Sequence, residues 1–421
     1  MQVAALAAHV AAVVAVIWLV AMGGRALARL LRQPEVIGEV LAGLLVGPVM
    51  LWLVGGREMG QLLPGPVLGV VQQVSNAGLA LFLVSVVYHV PGEKRRHRMG
   101  WVVAGALIPA LLCGIGLAGW LLLDGNTVVV GGARPGALVV FLAAGLAVTA
   151  VPVLARILTD KGLTDTVEGR LALRAAIVID SAGWLLATVA IGLQSGTVAG
   201  VIHSVVVLVC GVLAALVFRV LLRSAPARAL SARRQVVMAV LLGGLALASS
   251  AVMQQLGLTG ILGAALVGLA VPTDGDGPWP AVVAKVGSVG RHLVPLFFVI
   301  TGVSVLTRGF VAPAWPVLVV AVLLGVLGKI GGGYLGARLS GHTPMLALRI
   351  GALVNTRGLT ELVVLQVGVA SGILSPPLFL ALLVMALATT AMTGPLLTLL
   401  DRWQARAVTV PAAVELGNDA R

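Results

Sequence analysis

Charge is what this chain has least of. Only 10% of its 421 residues are charged, against about 25% in soluble domains, while 59% are hydrophobic and mean hydropathy is +1.10. That shortage excludes a soluble globular protein, because no stretch is polar enough or long enough to form such a domain. Cysteine is nearly absent too. Cys113 and Cys210 both lie in apolar runs, which excludes a disulfide framework and reads as two buried, inert thiols. The opening Met1-Gln2-Val3 has no basic segment, and no small-residue cleavage site precedes Arg25, so the N-terminus reads as a first span and not a removable signal. The sequence contains no HExxH, no GxSxG and no paired DxxxD, so an enzyme is not expected. No GxGxxG follows a strand pattern, so neither a nucleotide-binding regulatory domain nor a cofactor is expected.

What is present is a set of long apolar runs. Hydropathy marks thirteen candidate spans, at about 3–22, 35–54, 66–90, 100–123, 137–158, 168–193, 198–222, 235–254, 257–272, 288–307, 314–337, 345–370 and 375–400. The 54 glycines suit close helix packing in lipid. Loops after odd-numbered spans hold the basic clusters, such as Arg25, Arg29 and Arg32, or Lys94, Arg95, Arg96 and Arg98. The intervening loops hold only Arg57, Arg134 and Arg308. Positive residues stay on the cytoplasmic side, so the N-terminus is expected outside and the C-terminus in the cytoplasm of a multi-pass plasma (inner) membrane protein. The net charge of +13 is then a topology signal and a contact with anionic lipid of the bilayer, with no nucleic acid implied. A single membrane domain over 1–409 and a short cytoplasmic tail over 410–421 are expected.

Two spans are interrupted. Val148-Thr149-Ala150-Val151-Pro152 breaks the fifth, where Pro152 fits the first turn of a new half-helix with Thr149 near its cap; a simple proline kink is the plainer reading. Asn355-Thr356-Arg357-Gly358-Leu359-Thr360-Glu361 breaks the twelfth, with Glu361 in the first turn of the following half-helix, at its positive dipole end. Spans 4–6 and 11–13 thus form two triplets, each with a broken middle helix. Their opposite orientation makes an inverted repeat, which points to a transport site at the bilayer midplane.

The charges that remain inside the apolar runs gather around these breaks. Asp180 lies mid-span in Ile177-Val178-Ile179-Asp180-Ser181-Ala182, where a carboxylate costs roughly 2.5–3.5 kcal/mol on insertion scales. Such a group is kept when it binds a cation, carries a proton or pairs with a base. Lys329 has roughly six core residues after it, about 9 Å of helix, a long reach for a snorkelling side chain. A buried pair or gate fits it better. Arg357 and Glu361, four apart, are suited to neutralising the broken helix, with direct ion coordination as the other role. Glu39, near the start of the second span, reads as interfacial or cavity-lining, and Asp160 and Asp165 as solvated loop charges.

Desolvation favours the protonated carboxyl, whereas a nearby ammonium or bound cation favours the carboxylate. A site that takes either a proton or an alkali cation at Asp180, and opens alternately to each side, is an antiporter. Thr149, Ser181 and unwound carbonyls would supply the hard oxygen ligands that a transiently bound alkali cation needs.

These residues resemble the bacterial sodium/proton exchanger superfamily, in its thirteen-helix monovalent cation:proton antiporter branch. The likeness rests on Pro34-Glu35-Val36-Ile37-Gly38-Glu39-Val40-Leu41-Ala42-Gly43 through Gly47-Pro48, on Thr149-Ala150-Val151-Pro152 through Leu158, and on Pro295-Leu296-Phe297-Phe298. It continues in Gly328-Lys329 and in Asn355 through Leu362. The resemblance implies an all-α antiporter fold and a homodimer that works by an elevator-like movement. It implies a dimerisation part at about 1–90 and 235–310, a core part at about 100–193 and 314–400, and a linker helix at about 198–222. It also implies that Asp180 is the essential cation/proton carboxylate, Lys329 the core lysine, Thr149 to Pro152 the first crossover and Glu361 the second-crossover acid. Sodium or potassium and protons are the implied substrates.

The chain departs from the family pattern at Ile179, since relatives carry a polar pair where it has Ile179-Asp180. In electrogenic relatives the first acid pairs with the lysine, a partner that Lys329 lacks, so Lys329 is left to pair with Asp180 itself. The end of the third span, Phe82 through His89, also lacks the acid often found there. One titrating carboxylate makes electroneutral exchange the simplest stoichiometry. Proton-coupled export of a small organic or ionophoric solute, and a non-transporting membrane subunit, stay open as alternatives.

Overall fold

The structure is a computed structural model that describes residues 2–31, 33–54, 64–88, 96–196, 199–258, 260–273, 277–305 and 314–415. All regular structure among them is helical. In chain order the helices are α1 (Gln2–Leu30), α2 (Glu35–Val54), α3 (Gly65–Tyr88), α4 (Arg96–Asp124), α5 (Pro135–Ala147), α6 (Val151–Asp160), α7 (Val167–Ser195), α8 (Ala199–Leu222) and α9 (Ala225–Arg233). There follow α10 (Gln235–Gln255), α11 (Gly260–Ala270), α12 (Trp279–Val305) and α13 (Trp315–Val326), which runs through a π-helical turn (Leu327–Gly331) into α14 (Gly332–Leu339). The chain ends in α15 (Pro344–Val354), α16 (Leu359–Ala370) and α17 (Pro376–Glu415).

Each of the thirteen apolar segments contains a helix. Among the described residues ten helices are long and apolar enough to cross a membrane, counting α5–α6 and α13–α14 as one each. The helix α2, the short apolar α11 and the broken pair α15–α16 occupy the other three segments.

Local signals set the ends. Thr166 caps α7 by accepting from Gly169 N (3.1 Å), and Thr343 caps α15 by accepting from Leu346 N (3.4 Å). Pro135 and Pro344 open their helices where a missing N–H costs nothing. Gly196, at φ +82°, ends α7 in a left-handed turn.

Several expectations shift. The tenth span, expected from 288, begins earlier as α12 at Trp279, so Lys285 lies inside a helix. The tail expected from 410 starts as helix, because α17 continues to Glu415; residues 416–421 lie outside the described residues, as do Arg57, His89, Lys94, Arg95 and Arg308. The thiols are not both buried: Cys113 is half-buried and Cys210 exposed, since apolar runs on a membrane protein also cover its outside.

Helices α1, α2, α3 and α12 pack on one another, and α4, α5, α7 and α14 form a second set. Glycines allow the closest approaches. A Cβ at Gly24 would overlap the Gly38 backbone between α1 and α2, and one at Gly105 would overlap Gly336 between α4 and α14. The largest apolar cluster runs through α4–α7 and α13–α17 and surrounds the two helix breaks.

Candidate functional site

The two breaks meet in the protein interior. Between α5 and α6, residues 148–150 leave the helix, and between α15 and α16 the chain is open over 355–358. The unwound segments hydrogen-bond to each other: Ala150 N donates to Thr356 O (3.1 Å) and Thr149 Oγ1 to Val354 O (3.0 Å). All of these residues are buried. Pro152 occupies the first turn of α6, as expected, but the cap residue is Ala150, which makes no side-chain cap bond. Thr149 stands one residue earlier, and its hydroxyl serves the other break instead.

Breaking a helix in a dry interior leaves carbonyls at one end and N–H groups at the other. The carbonyl end of α5 is covered by two cations. Arg357 donates from Nη1 to Gly145 O (2.7 Å) and from Nη2 to Leu146 O (2.6 Å). Lys329 donates from Nζ to Ala147 O and to Thr149 Oγ1 (2.7 Å for the latter). Positive charge at a helix C-terminus offsets the dipole there, most strongly where no water competes. Arg357 also holds Glu361 at 3.0 Å, and both side chains are fully buried. The pair forms across the break and not along a continuous helix, since Gly358 caps α16 and leaves Arg357 outside it.

Lys329 is fully buried, on the π-helical turn. One extra residue in that turn alters which side chains face inward, and such turns recur at functional sites. Lys329 shares the carbonyl end of α5 with Arg357, which donates to the two carbonyls just before Ala147. Asp180, 4% exposed on α7, lies one turn before Gly183, which packs directly on Val148 of the first break. Asp180, Thr149, Lys329, Arg357 and Glu361 therefore share one buried neighbourhood. Ser181 is beside it but half-buried, donating to Ile177 O of its own helix (2.9 Å). Among the described residues, no group of three His, Cys, Asp or Glu side chains could hold a resident metal ion.

Two parts of the site were not read from the sequence. Threonines of α17 clamp the second break: Thr390 Oγ1 accepts from Arg357 N (2.9 Å), and Asn355 Nδ2 donates to Thr389 O (3.1 Å). Threonine registers as neutral in hydropathy, so the only signal was its clustering at 389, 390 and 393. The second part is ionic. Asp160, exposed at the end of α6, also pairs with Arg156 (3.0 Å), a contact that its reading as a solvated charge does not include. Glu39 is fully buried against Arg25, so it is a paired interior group.

Gly358 is the position where the backbone demands glycine. Its φ of +152° with ψ of −141° is essentially closed to other residues, and an added Cβ would lie 2.6 Å from Val153 Cγ2. Gly358→Ala is expected to destabilise the protein by about 1–3 kcal/mol, seen as a lower melting temperature in detergent, with slowed transport.

Over residues 14–402 the chain matches the family model "Sodium/hydrogen exchanger, transmembrane". It is 34% identical to Cation/H(+) antiporter 17 of Arabidopsis thaliana over 387 residues, covering 88% of this chain and 46% of that protein. It is 29% identical to the Na(+)/H(+) antiporter NhaS4 of Synechocystis, covering 87% of this chain and 90% of that protein. The chain spans about half the length of the Arabidopsis relatives it matches. Its fold is similar to that of a sodium proton antiporter from Methanocaldococcus jannaschii, with a TM-score of 0.61 at 17% identity, over 94% of this chain and 96% of the other.

Proposed function

This chain belongs to the transmembrane sodium/hydrogen exchanger family, and from that premise we propose that it exchanges a monovalent cation, sodium or potassium, for protons by alternating access. The observation that carries this reading is the crossing of two helix breaks, with Lys329 Nζ on Ala147 O and Thr149 Oγ1 and the buried Asp180 one turn from Gly183, which packs on the first break. Carbonyl, hydroxyl and carboxylate oxygens are hard ligands suited to alkali ions, so the Lys329 ammonium sits among the atoms such an ion would use. The hydroxyl protons of Thr149 and Ser181 are held by Val354 O and Ile177 O, so both oxygens face a cation as acceptors, and at Thr149 the cation takes the place of the Lys329 donor. Asp180 is neutralised by the proton or the cation, one at a time. Arg357 and Glu361 keep the broken ends neutral and take no part in binding.

In this reading the chain is a transporter and not an enzyme. It sits in the plasma membrane with its N-terminus outside and C-terminus in the cytoplasm, as a homodimer. Residues of about 1–90 and 235–310 form the dimerisation part, about 100–193 and 314–400 the mobile core, and about 198–222 the link. With Ile179 beside it, Asp180 is the single titrating carboxylate, and one cation moves per proton.

Reconstituted protein is expected to collapse a preset pH gradient when sodium or potassium is added, read by dequenching of a pH dye. An imposed membrane potential is expected to leave that rate unchanged. No response to any alkali ion would remove the proposal, and a rate that follows the potential would remove the one-for-one stoichiometry.

A further inference from the structure

An ionic cluster lies apart from the crossover, on the seam between α6 and α2. Arg156 of α6 approaches Glu35 (3.4 Å) and Glu39 (3.9 Å) of α2, and Asp160 of its own helix (3.0 Å). On the other side Arg25 of α1 pairs with Glu39, and Arg29 with Glu35 (3.3 Å). Arg156 and Glu39 are 8% and 0% exposed, so the centre of the cluster sits in the seam, while Arg29 and Asp160 lie at its exposed rim. Beside the cluster, Gly394 of α17 meets Pro34 so closely that a Cβ would lie 2.5 Å from its ring.

The cluster divides in an informative way. Arg25 and Arg29 balance Glu35 and Glu39 on α1 and α2, while Arg156 balances Asp160 on α6. Each half is neutral alone. Parting the seam therefore orphans no charge, whereas parting a simple buried pair would leave two uncompensated ions. A small recess lies deeper in the same seam, lined by Val36 and Val40 of α2, Val153 of α6, Arg357 and Gly358 of the second break, and Leu387 of α17 on the other wall. Val153 is one turn inward from Arg156, and Val36 and Val40 flank Glu39. The cluster thus stands between the outer end of the seam and a recess that reaches the crossover.

We propose that Arg156 with Glu35 and Glu39 is a reversible ionic latch that fastens α6 to α2 and keeps the crossover recess closed toward the side where Asp160 and Lys161 emerge. The latch rests on the alternating-access reading, which puts α6 in the moving part, α1 and α2 in the fixed part, and this side in the cytoplasm. Its residues touch neither the proton nor the cation; they act on which side the site faces.

The test is thiol labelling at Val40→Cys, with Cys113 and Cys210 replaced by alanine, in inside-out vesicles with a neutral maleimide and no ion gradient. Arg156→Gln is expected to raise the labelling rate about tenfold, since one partner of a partly buried charge cluster is lost. Arg156→Lys, which keeps the charge, is expected to stay near the parent rate. Glu35→Gln is expected to raise it as well, and to add little on top of Arg156→Gln, as two residues of one interaction should. Leu387→Cys on the other wall serves as a second reporter if Val40→Cys does not reach the membrane. Unchanged labelling in Arg156→Gln overturns the latch, and so does Arg156→Lys labelling as fast as Arg156→Gln, which would mark a packing role. Cation exchange is measured on the same preparations. Faster labelling without any exchange in the parent protein would sink the antiport reading and leave the latch standing. Normal exchange with indifferent labelling would sink the latch alone.

Discussion

Asp180→Asn is expected to reduce cation-driven proton movement in proteoliposomes to the leak of empty liposomes. The substitution conserves shape at a site that is 4% exposed, so the packing of α7 on the first break through Gly183 and Val148 is retained. What it removes is the charge. An amide neither releases a proton in this range nor balances an alkali cation, so both halves of the exchange lose their carrier at once. Lys329 keeps its bonds to Ala147 O and Thr149 Oγ1, so the lysine has no reason to leave the interior. The variant is therefore expected to purify as a folded protein with a melting temperature near that of the parent. Asp180→Glu, which keeps a carboxylate, is expected to retain partial exchange. Full sodium- or potassium-dependent exchange by Asp180→Asn would put the exchanging group elsewhere and remove the central claim of the proposed function.

The helices and the breaks were legible because each has a local cause. The second span was read at 35–54 and α2 occupies Glu35–Val54, since the apolar run ends where the helix does. Both breaks were visible as polar residues or proline inside apolar runs. The depth of Lys329 followed from the apolar residues beyond it. Its contacts did not, because they depend on a π-helical turn with no marker in Leu327-Gly328-Lys329-Ile330-Gly331 and on carbonyls some 180 residues earlier in the chain. The Arg357–Glu361 spacing gave the right pair for an incomplete reason: it is a helix spacing, yet the pair bridges a helix start. Arg25 and Arg29 illustrate a different loss. Read as orientation signals they were counted and not paired, so their acidic partners on α2, and Arg156 with Asp160 opposite, went unseen. A charge count along a chain carries side of membrane; it carries nothing about which charges share a seam.

Arg357→Met is expected to produce the largest loss of stability of any single change at the site, about 3–5 kcal/mol, the usual effect of removing one partner from a buried ion pair. Arg357 is fully buried and serves two neighbours that cannot reach water. It neutralises Glu361 at 3.0 Å, and it donates to Gly145 O and Leu146 O at the end of α5. Methionine fills similar space without donors, so the variant leaves one buried carboxylate short of its counter-charge and two carbonyls bare. The melting temperature in detergent should fall, and the fraction recovered as a monodisperse species should drop with it. Adding Glu361→Gln removes the orphaned charge but not the bare carbonyls, so the double variant should regain part of the loss, and the shortfall measures what capping α5 is worth. Glu361→Gln alone should cost less than Arg357→Met, because Arg357 keeps both carbonyls as acceptors. Parent-like melting of Arg357→Met would mean that the broken ends are stabilised by the backbone bond from Ala150 N to Thr356 O and by the α17 threonines alone. Neutralisation of the crossover would then not be the work of this arginine.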